Sequence, residues 1–156
     1  MVWLRTLIFT VVVPASVTLY APWWILSRNP APGPSGWRWL ALLPIGAGVA
    51  TYLWCALDFG RAQGTPAPID PPKQLVAGGL YRYTRNPMYV GVTSVLLGEA
   101  LLFGSWVLLA FAAGVAACFQ AFVTLYEEPS LRRRFGDAYE GYCRAVPRWL
   151  PRSPRR

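Results

Sequence analysis

The sequence predicts an all-α, polytopic membrane protein: four transmembrane helices and a C-terminal cytoplasmic amphipathic helix, in one domain over residues 1–156. Three observations predict it. The chain is 54% hydrophobic and only 14% charged, against about 25% charged residues in an ordinary soluble domain. Its apolar residues come in long runs of membrane-spanning length. Its basic residues crowd onto one side of the arrangement that those runs imply.

The elements follow in order. The first apolar run, 4–26, is interrupted by Pro14 and closed by Trp23-Trp24. It lacks a small-residue cleavage pattern and is long for a signal-peptide core, so a retained span is expected. Residues 28–36 carry three prolines and two glycines and read as a loop. The second span, 37–57, holds Pro44, which a membrane helix tolerates when its neighbours satisfy the freed carbonyl. Residues 58–87 form the long polar interruption. The third span, 88–103, starts after Pro87, a favourable first helical residue. Gly104-Ser105 makes a tight turn into the fourth span, 106–126.

That turn makes spans three and four an antiparallel hairpin. Ala110, Ala113, Gly114, Ala117 and Ala121 give the fourth span a small-residue stripe, expected to serve close helix packing. Residues 127–142 read as one amphipathic helix, with Leu131, Phe135, Ala138, Tyr139 and Tyr142 at helical spacing and arginines between them. The tail from 146 onward is rich in Pro and Arg.

Four spans put both termini and the 58–87 loop on one side. That side holds Arg5, Arg61, Lys73, Arg82, Arg85 and eight tail arginines, thirteen cations, while the other holds Arg28 and Arg38. The positive-inside rule makes the crowded side cytoplasmic, in a cell inner membrane. The net charge of +8 then reads as a basic face on anionic lipid, with no nucleic-acid partner expected. There are three widely separated cysteines and no histidine. A disulfide or metal site is not expected, and histidine acid–base chemistry is absent.

The chemistry concentrates in residues 79–91, a basic and aromatic segment that runs into the third span. The hairpin brings Asn86, Pro87 and Tyr89 beside Glu127 and Glu128 at one cytoplasmic rim. Carboxylates, arginines, an amide and tyrosines meet there without a base that titrates near neutrality. Such a cluster suits binding and positioning of a zwitterionic cofactor that carries its own reactive group. Residue by residue, an Arg-rich rim with Tyr and Trp also reads as a plain membrane anchor. Glu99 is the one carboxylate inside a span, and membrane-embedded acids are candidates for function. Asp58 reads as a helix-end feature and Gln120 as an interhelical hydrogen bond.

Two ordered blocks carry a resemblance. Gln74-Leu75-Val76, Gly79-Leu80-Tyr81 and Arg85-Asn86-Pro87-Met88-Tyr89-Val90-Gly91 form the first. Glu127-Glu128, Leu131, Phe135-Gly136, Tyr139, Tyr142 and Val146-Pro147 form the second. Together, over roughly 70–151, they resemble the isoprenylcysteine carboxyl methyltransferases and the wider superfamily with the phospholipid N-methyltransferases. The resemblance implies an integral membrane methyltransferase that uses S-adenosylmethionine on a lipophilic acceptor entering from the lipid bilayer. It implies a cofactor region over 73–91 and 127–150. Carried over by position, Gln74, Leu75, Val76, Gly78, Leu80, Tyr81, Asn86, Pro87, Tyr89, Gly91 and Glu127 would bind the cofactor.

Arg85, Asn86, Glu128 and Arg144 would be the catalytic set, with Glu128 a proton acceptor for an amine substrate and Arg144 an orienting cation. Position 86 departs from the family, which usually has His where this chain has Asn86, and Ala145 stands where the family often has Arg. The absence of histidine leans toward carboxyl O-methylation, since a carboxylate acceptor needs no deprotonation, with phospholipid N-methylation as the alternative. Methyl transfer from a sulfonium needs alignment and a dry site more than a base. Two other classes compete. Sterol-type reductases share a similar Tyr-Arg-x-x-Arg-x-Pro-x-Tyr-x-Gly block and use NADPH. A four-span transporter or scaffold would use Glu99 as its coupling acid.

Overall fold

The computed structural model describes residues 12–61, 75 and 77–152. Among these the chain is all-helical, as expected. Helix α1 covers 12–28 and contains a π-helical turn at Ser16–Tyr20 before Ala21–Arg28. The 4–11 part of the first expected span lies outside the described residues. A 3₁₀ turn, Gly36–Ala41, leads into α2, Leu42–Arg61. After a short 3₁₀ turn at Gly79–Arg82 come α3, Pro87–Phe103, and α4, Trp106–Phe122. A second π turn, Val123–Glu127, joins α4 to α5, Glu128–Phe135, and α6 is Asp137–Ala145.

Two continuous helices are long and apolar enough to cross a membrane, Gly36–Asp58 and Trp106–Phe135, and Pro87–Phe103 is a shorter apolar helix. Only 22% and 17% of the most apolar stretches of the two long helices are buried in protein. The core helix of a soluble protein would be mostly enclosed. Here Trp54, Leu43, Trp106 and Leu125 face outward instead, an apolar surface that suits lipid rather than water.

The helices pack where backbones can meet. A Cβ on Gly48 would lie 2.5 Å from the Gly91 carbonyl oxygen, and one on Gly91 would lie 2.8 Å from that of Gly48. The α2–α3 contact therefore rests on two glycines facing each other. Ser94 Oγ adds a 2.9 Å hydrogen bond to the Pro44 carbonyl. The α3–α4 turn is as expected: Gly104 takes φ 63° and Ser105 caps α4, its hydroxyl accepting from Leu108 N at 3.3 Å. Leu96, Leu108 and Ala112 fill the core between these elements.

Two expectations are corrected. The small-residue stripe does not serve the hairpin. Ala110, Ala113, Gly114, Ala117 and Ala121 are all exposed, and a Cβ on Gly114 would meet nothing within 4 Å. Bulkier residues, among them Phe111 and Phe119, pack on the core instead. The expected amphipathic helix over 127–142 is also broken in two. Gly136, at φ 50° and ψ −126°, occupies a conformation that side chains other than glycine's rarely adopt, and separates α5 from α6.

Each π turn precedes a proline. Pro22 and Pro129 have no N–H for the carbonyl four residues back, and their rings crowd it. Those carbonyls belong to Thr18 and Leu125, inside the π turns Ser16–Tyr20 and Val123–Glu127. The wider winding relieves the clash, so both helices continue through their prolines.

Candidate functional site

The loop 83–86 is held from outside by the C-terminal strap 146–152. Arg85 N donates to the Pro147 carbonyl at 2.9 Å, and Arg152 N to that of Tyr83 at 3.0 Å. The Thr84 hydroxyl sits 3.0 and 2.9 Å from the carbonyls of Arg148 and Trp149. Asn86 Nδ2 donates to the Arg148 carbonyl at 3.0 Å. Asn86 is also the residue before Pro87, the first residue of α3.

The opposite wall comes from the end of α4. In its π turn the Glu128 amide donates to the Val123 carbonyl, five residues back. The two adjacent glutamates take different surroundings. Glu127 Oε2 accepts from the Tyr89 hydroxyl at 3.1 Å and, among the described residues, carries no ion pair. Glu128 is 3% exposed and sits among arginines. Arg148 grips it with two bonds, Nε to Oε1 at 2.7 Å and Nη2 to Oε2 at 3.0 Å. Arg85 Nη1 lies 3.1 Å and Arg132 Nη2 3.7 Å from its oxygens. Arg85 Nη1 also donates to Cys143 Sγ at 2.8 Å.

Between these walls is a cavity of about 300 Å³. Tyr81, Arg85, Asn86, Tyr89 and Glu127 are its polar lining, and Val17, Val92, Cys118, Phe119 and Phe122 are part of its apolar lining. Tyr89 and Phe119 hold their ring centroids 4.6 Å apart beside Glu127. The Tyr142 hydroxyl donates to the Tyr81 carbonyl at 2.6 Å, tying α6 to the loop. Burial pushes the phenols of Tyr81, Tyr139 and Tyr142 above their ordinary range, so they stay protonated donors.

The expected site residues divide accordingly. Tyr81, Arg85, Asn86, Tyr89 and Glu127 meet at the cavity. Pro87 and Gly91 are buried in the helix interior, with Gly91 against Gly48. Leu80 packs on a small cluster of Cys55, Tyr81 and Met88. Gly78 is exposed ahead of the 3₁₀ turn, and Leu75 is half-buried. Gln74 and Val76 lie outside the described residues. Glu128 turns away from the cavity into the arginine cluster, and Arg144 is exposed on α6 and not among the cavity-lining residues. Glu99 is remote, with its Oε2 buried and no hydrogen-bond partner among the described residues. Gln120 does not bond another helix, since its Oε1 accepts from Trp149 Nε1 of the strap at 2.7 Å.

Sequence reasoning missed Thr84 and Arg148. The signal for Arg148 was its place directly after Val146-Pro147, inside the matched second block. In a tail so rich in arginine it reads as one anchor among several.

The donor set fits a zwitterionic methyl donor. Arg85 Nε is buried without a hydrogen-bond partner among the described residues, a donor available to a carboxylate. Glu127 is the complementary acceptor, with no paired cation among the described residues.

Fold and site thus define a helical membrane protein with an amphipathic cleft at one end of its bundle. A family model described as phospholipid methyltransferase matches residues 37–138. The chain belongs to that family. It is also 40% identical over 81 residues to the protein-S-isoprenylcysteine O-methyltransferase of Schizosaccharomyces pombe. The aligned part is 51% of this chain and 34% of that relative, so the chain spans about a third of the relative's length. No solved structure matches.

Proposed function

We propose that this protein is an S-adenosylmethionine-dependent methyltransferase acting on a lipid-like amphiphile at the cytoplasmic face of a cell inner membrane. The observation that carries the reading is one cavity that combines polar side chains, Arg85 and Glu127, with apolar ones, Phe119 and Phe122, within a chain of the phospholipid methyltransferase family. The membrane arrangement is four spans. Helix α3, at 17 residues, is at the short limit for a crossing. The thirteen-to-two distribution of cations supports placing both termini and the site in the cytoplasm.

When bound, S-adenosylmethionine supplies an electrophilic methyl group on a sulfonium. The residues of this chain bind and orient. Arg85 takes a carboxylate, Glu127 offers the matching negative charge, and Tyr81 and Tyr89 wall the cavity beside them. The apolar lining keeps the reacting groups dry and admits the acceptor's hydrocarbon from the bilayer.

Two acceptors fit the family: the carboxylate of a prenylated, cysteine-type amphiphile, and the amine of a phospholipid headgroup. Glu127 favours the amine. It is the one carboxylate among the described lining residues. A carboxylate acceptor beside Glu127 would be repelled, whereas an amine finds there a carboxylate to take the proton it must lose before its lone pair attacks the methyl group.

Calorimetry with S-adenosylhomocysteine on the detergent-folded protein tests the reading, and absence of binding would overturn it. Thermal shift with NADPH alongside separates the reductase alternative. Lipid analysis with a labelled methyl donor then identifies the acceptor.

A further inference from the structure

The C-terminal strap does more than hold the loop. Trp149 bonds Gln120, six residues before Tyr126, where the apolar run through α4 and the π turn ends, which is about 9 Å down the helix at the α-helical rise. The Trp149 indole therefore reaches down toward the outer acyl chains from a strap whose backbone stays level with the 83–86 loop. Next to Trp149, Leu150 is 82% exposed. Arg152 is exposed beyond it, and the sequence adds Arg155 and Arg156. On the same side, Arg132, Arg133 and Arg134 of α5 are exposed. An aromatic side chain reaching toward acyl depth and an exposed leucine beside it, flanked by arginines, match a leaflet of anionic phospholipid.

We propose that the strap 147–152 docks on an anionic lipid surface, and that this docking keeps Arg148 on Glu128 and the 83–86 loop in its binding shape. The occupant is lipid because charge and depth agree: arginines meet the headgroups while Trp149 and Leu150 meet the chains. The coupling follows from the backbone bonds. The carbonyls of Pro147, Arg148 and Trp149 accept from Arg85, Asn86 and Thr84. A strap released from the surface loosens all three loop residues together. The coupling, unlike the docking, rests on the proposed methyltransferase reading.

The test uses the full chain in nanodiscs of phosphatidylcholine, with and without phosphatidylglycerol. An environment-sensitive fluorophore is placed on Leu150→Cys, with Cys118→Ala and Cys143→Ser, and Cys55 fully buried. Phosphatidylglycerol should shift the emission to the blue, and high salt should reverse the shift. Identical emission in the two bilayers, or a shift insensitive to salt, overturns the docking. In unlabelled protein, S-adenosylhomocysteine should bind about fivefold tighter with phosphatidylglycerol, the effect of roughly one arginine at an anionic surface. That gain should vanish in Leu150→Asn/Arg152→Gln. A gain retained in the variant overturns the coupling. Absence of binding in every bilayer overturns the methyltransferase reading, while the fluorophore still decides the docking.

Discussion

Arg148 holds Glu128 through two parallel hydrogen bonds, at 2.7 and 3.0 Å, across twenty residues of sequence. The pair closes the strap onto the start of α5. Its carboxylate is shared with Arg85 and Arg132, so one buried negative charge organises three cations.

Removing that charge should be expensive. Glu128→Ala leaves Arg85, whose side chain is 12% exposed, facing two other cations with no anion between them. Breaking a buried pair from one side costs about 3 kcal/mol or more. Arg148→Lys should recover only part of the loss from Arg148→Ala, because an ammonium cannot form the two-pronged contact. Thermal unfolding in a fixed detergent ranks the three variants, and equal midpoints for lysine and alanine would refute the bidentate role.

Glu127 should behave differently. Glu127→Ala is expected to weaken S-adenosylhomocysteine binding about tenfold or more, the worth of a charge-assisted bond, with little change in unfolding temperature. Tyr89→Phe removes only the 3.1 Å hydroxyl contact and should weaken binding about fivefold, the worth of an ordinary hydrogen bond. Calorimetry checks both, and unchanged affinity in the pair would refute the site.

The facing glycines give a packing test. Gly48→Ala and Gly91→Ala each drive a Cβ onto backbone oxygen and should destabilise by about 1–3 kcal/mol. Gly114→Ala points into open space and should leave stability unchanged or raise it slightly, since alanine is the better helix former. A matched thermal series reads the contrast.

Alkaline pH should expose the buried phenols. Burial raises the folded-state values of Tyr139 and Tyr142 above the unfolded value near 10. Below about pH 10 both states keep their protons, so these groups add no pH dependence. Above it the unfolded chain loses protons that the fold retains, and stability falls as pH rises. Tyr142→Phe should flatten that fall and cost about 1 kcal/mol at neutrality from the lost bond to the Tyr81 carbonyl.

Much of the site was legible because topology is legible. Apolar runs and the Gly104-Ser105 turn place Tyr89 beside Glu127 without any side-chain information, and the structure joins them by a hydrogen bond. What composition could not reveal was the division of labour between Glu127 and Glu128. Neighbours on a helix point in different directions, and a π turn alters which direction each takes. The strap was equally hidden, because its bonds to Thr84, Arg85 and Asn86 use its backbone carbonyls, which no side-chain pattern encodes. The small-residue stripe misled for a related reason. Close approach needs small residues on both partners, and the complementary pair was Gly48 and Gly91.

Pro129 never touches the cleft, yet it sets the compass bearing of the glutamate that does. The turn it forces at Val123–Glu127 carries one residue more than regular winding would. Deleting a residue from that turn, or freeing it by Pro129→Ala, would rotate the two ends of the rod by about a hundred degrees relative to each other. Glu127 and Glu128 would then exchange aspects, with no change in the chemistry of either side chain. The bearing of this carboxylate is thus written in a residue without a functional group, and a length change there would be more disruptive than most substitutions.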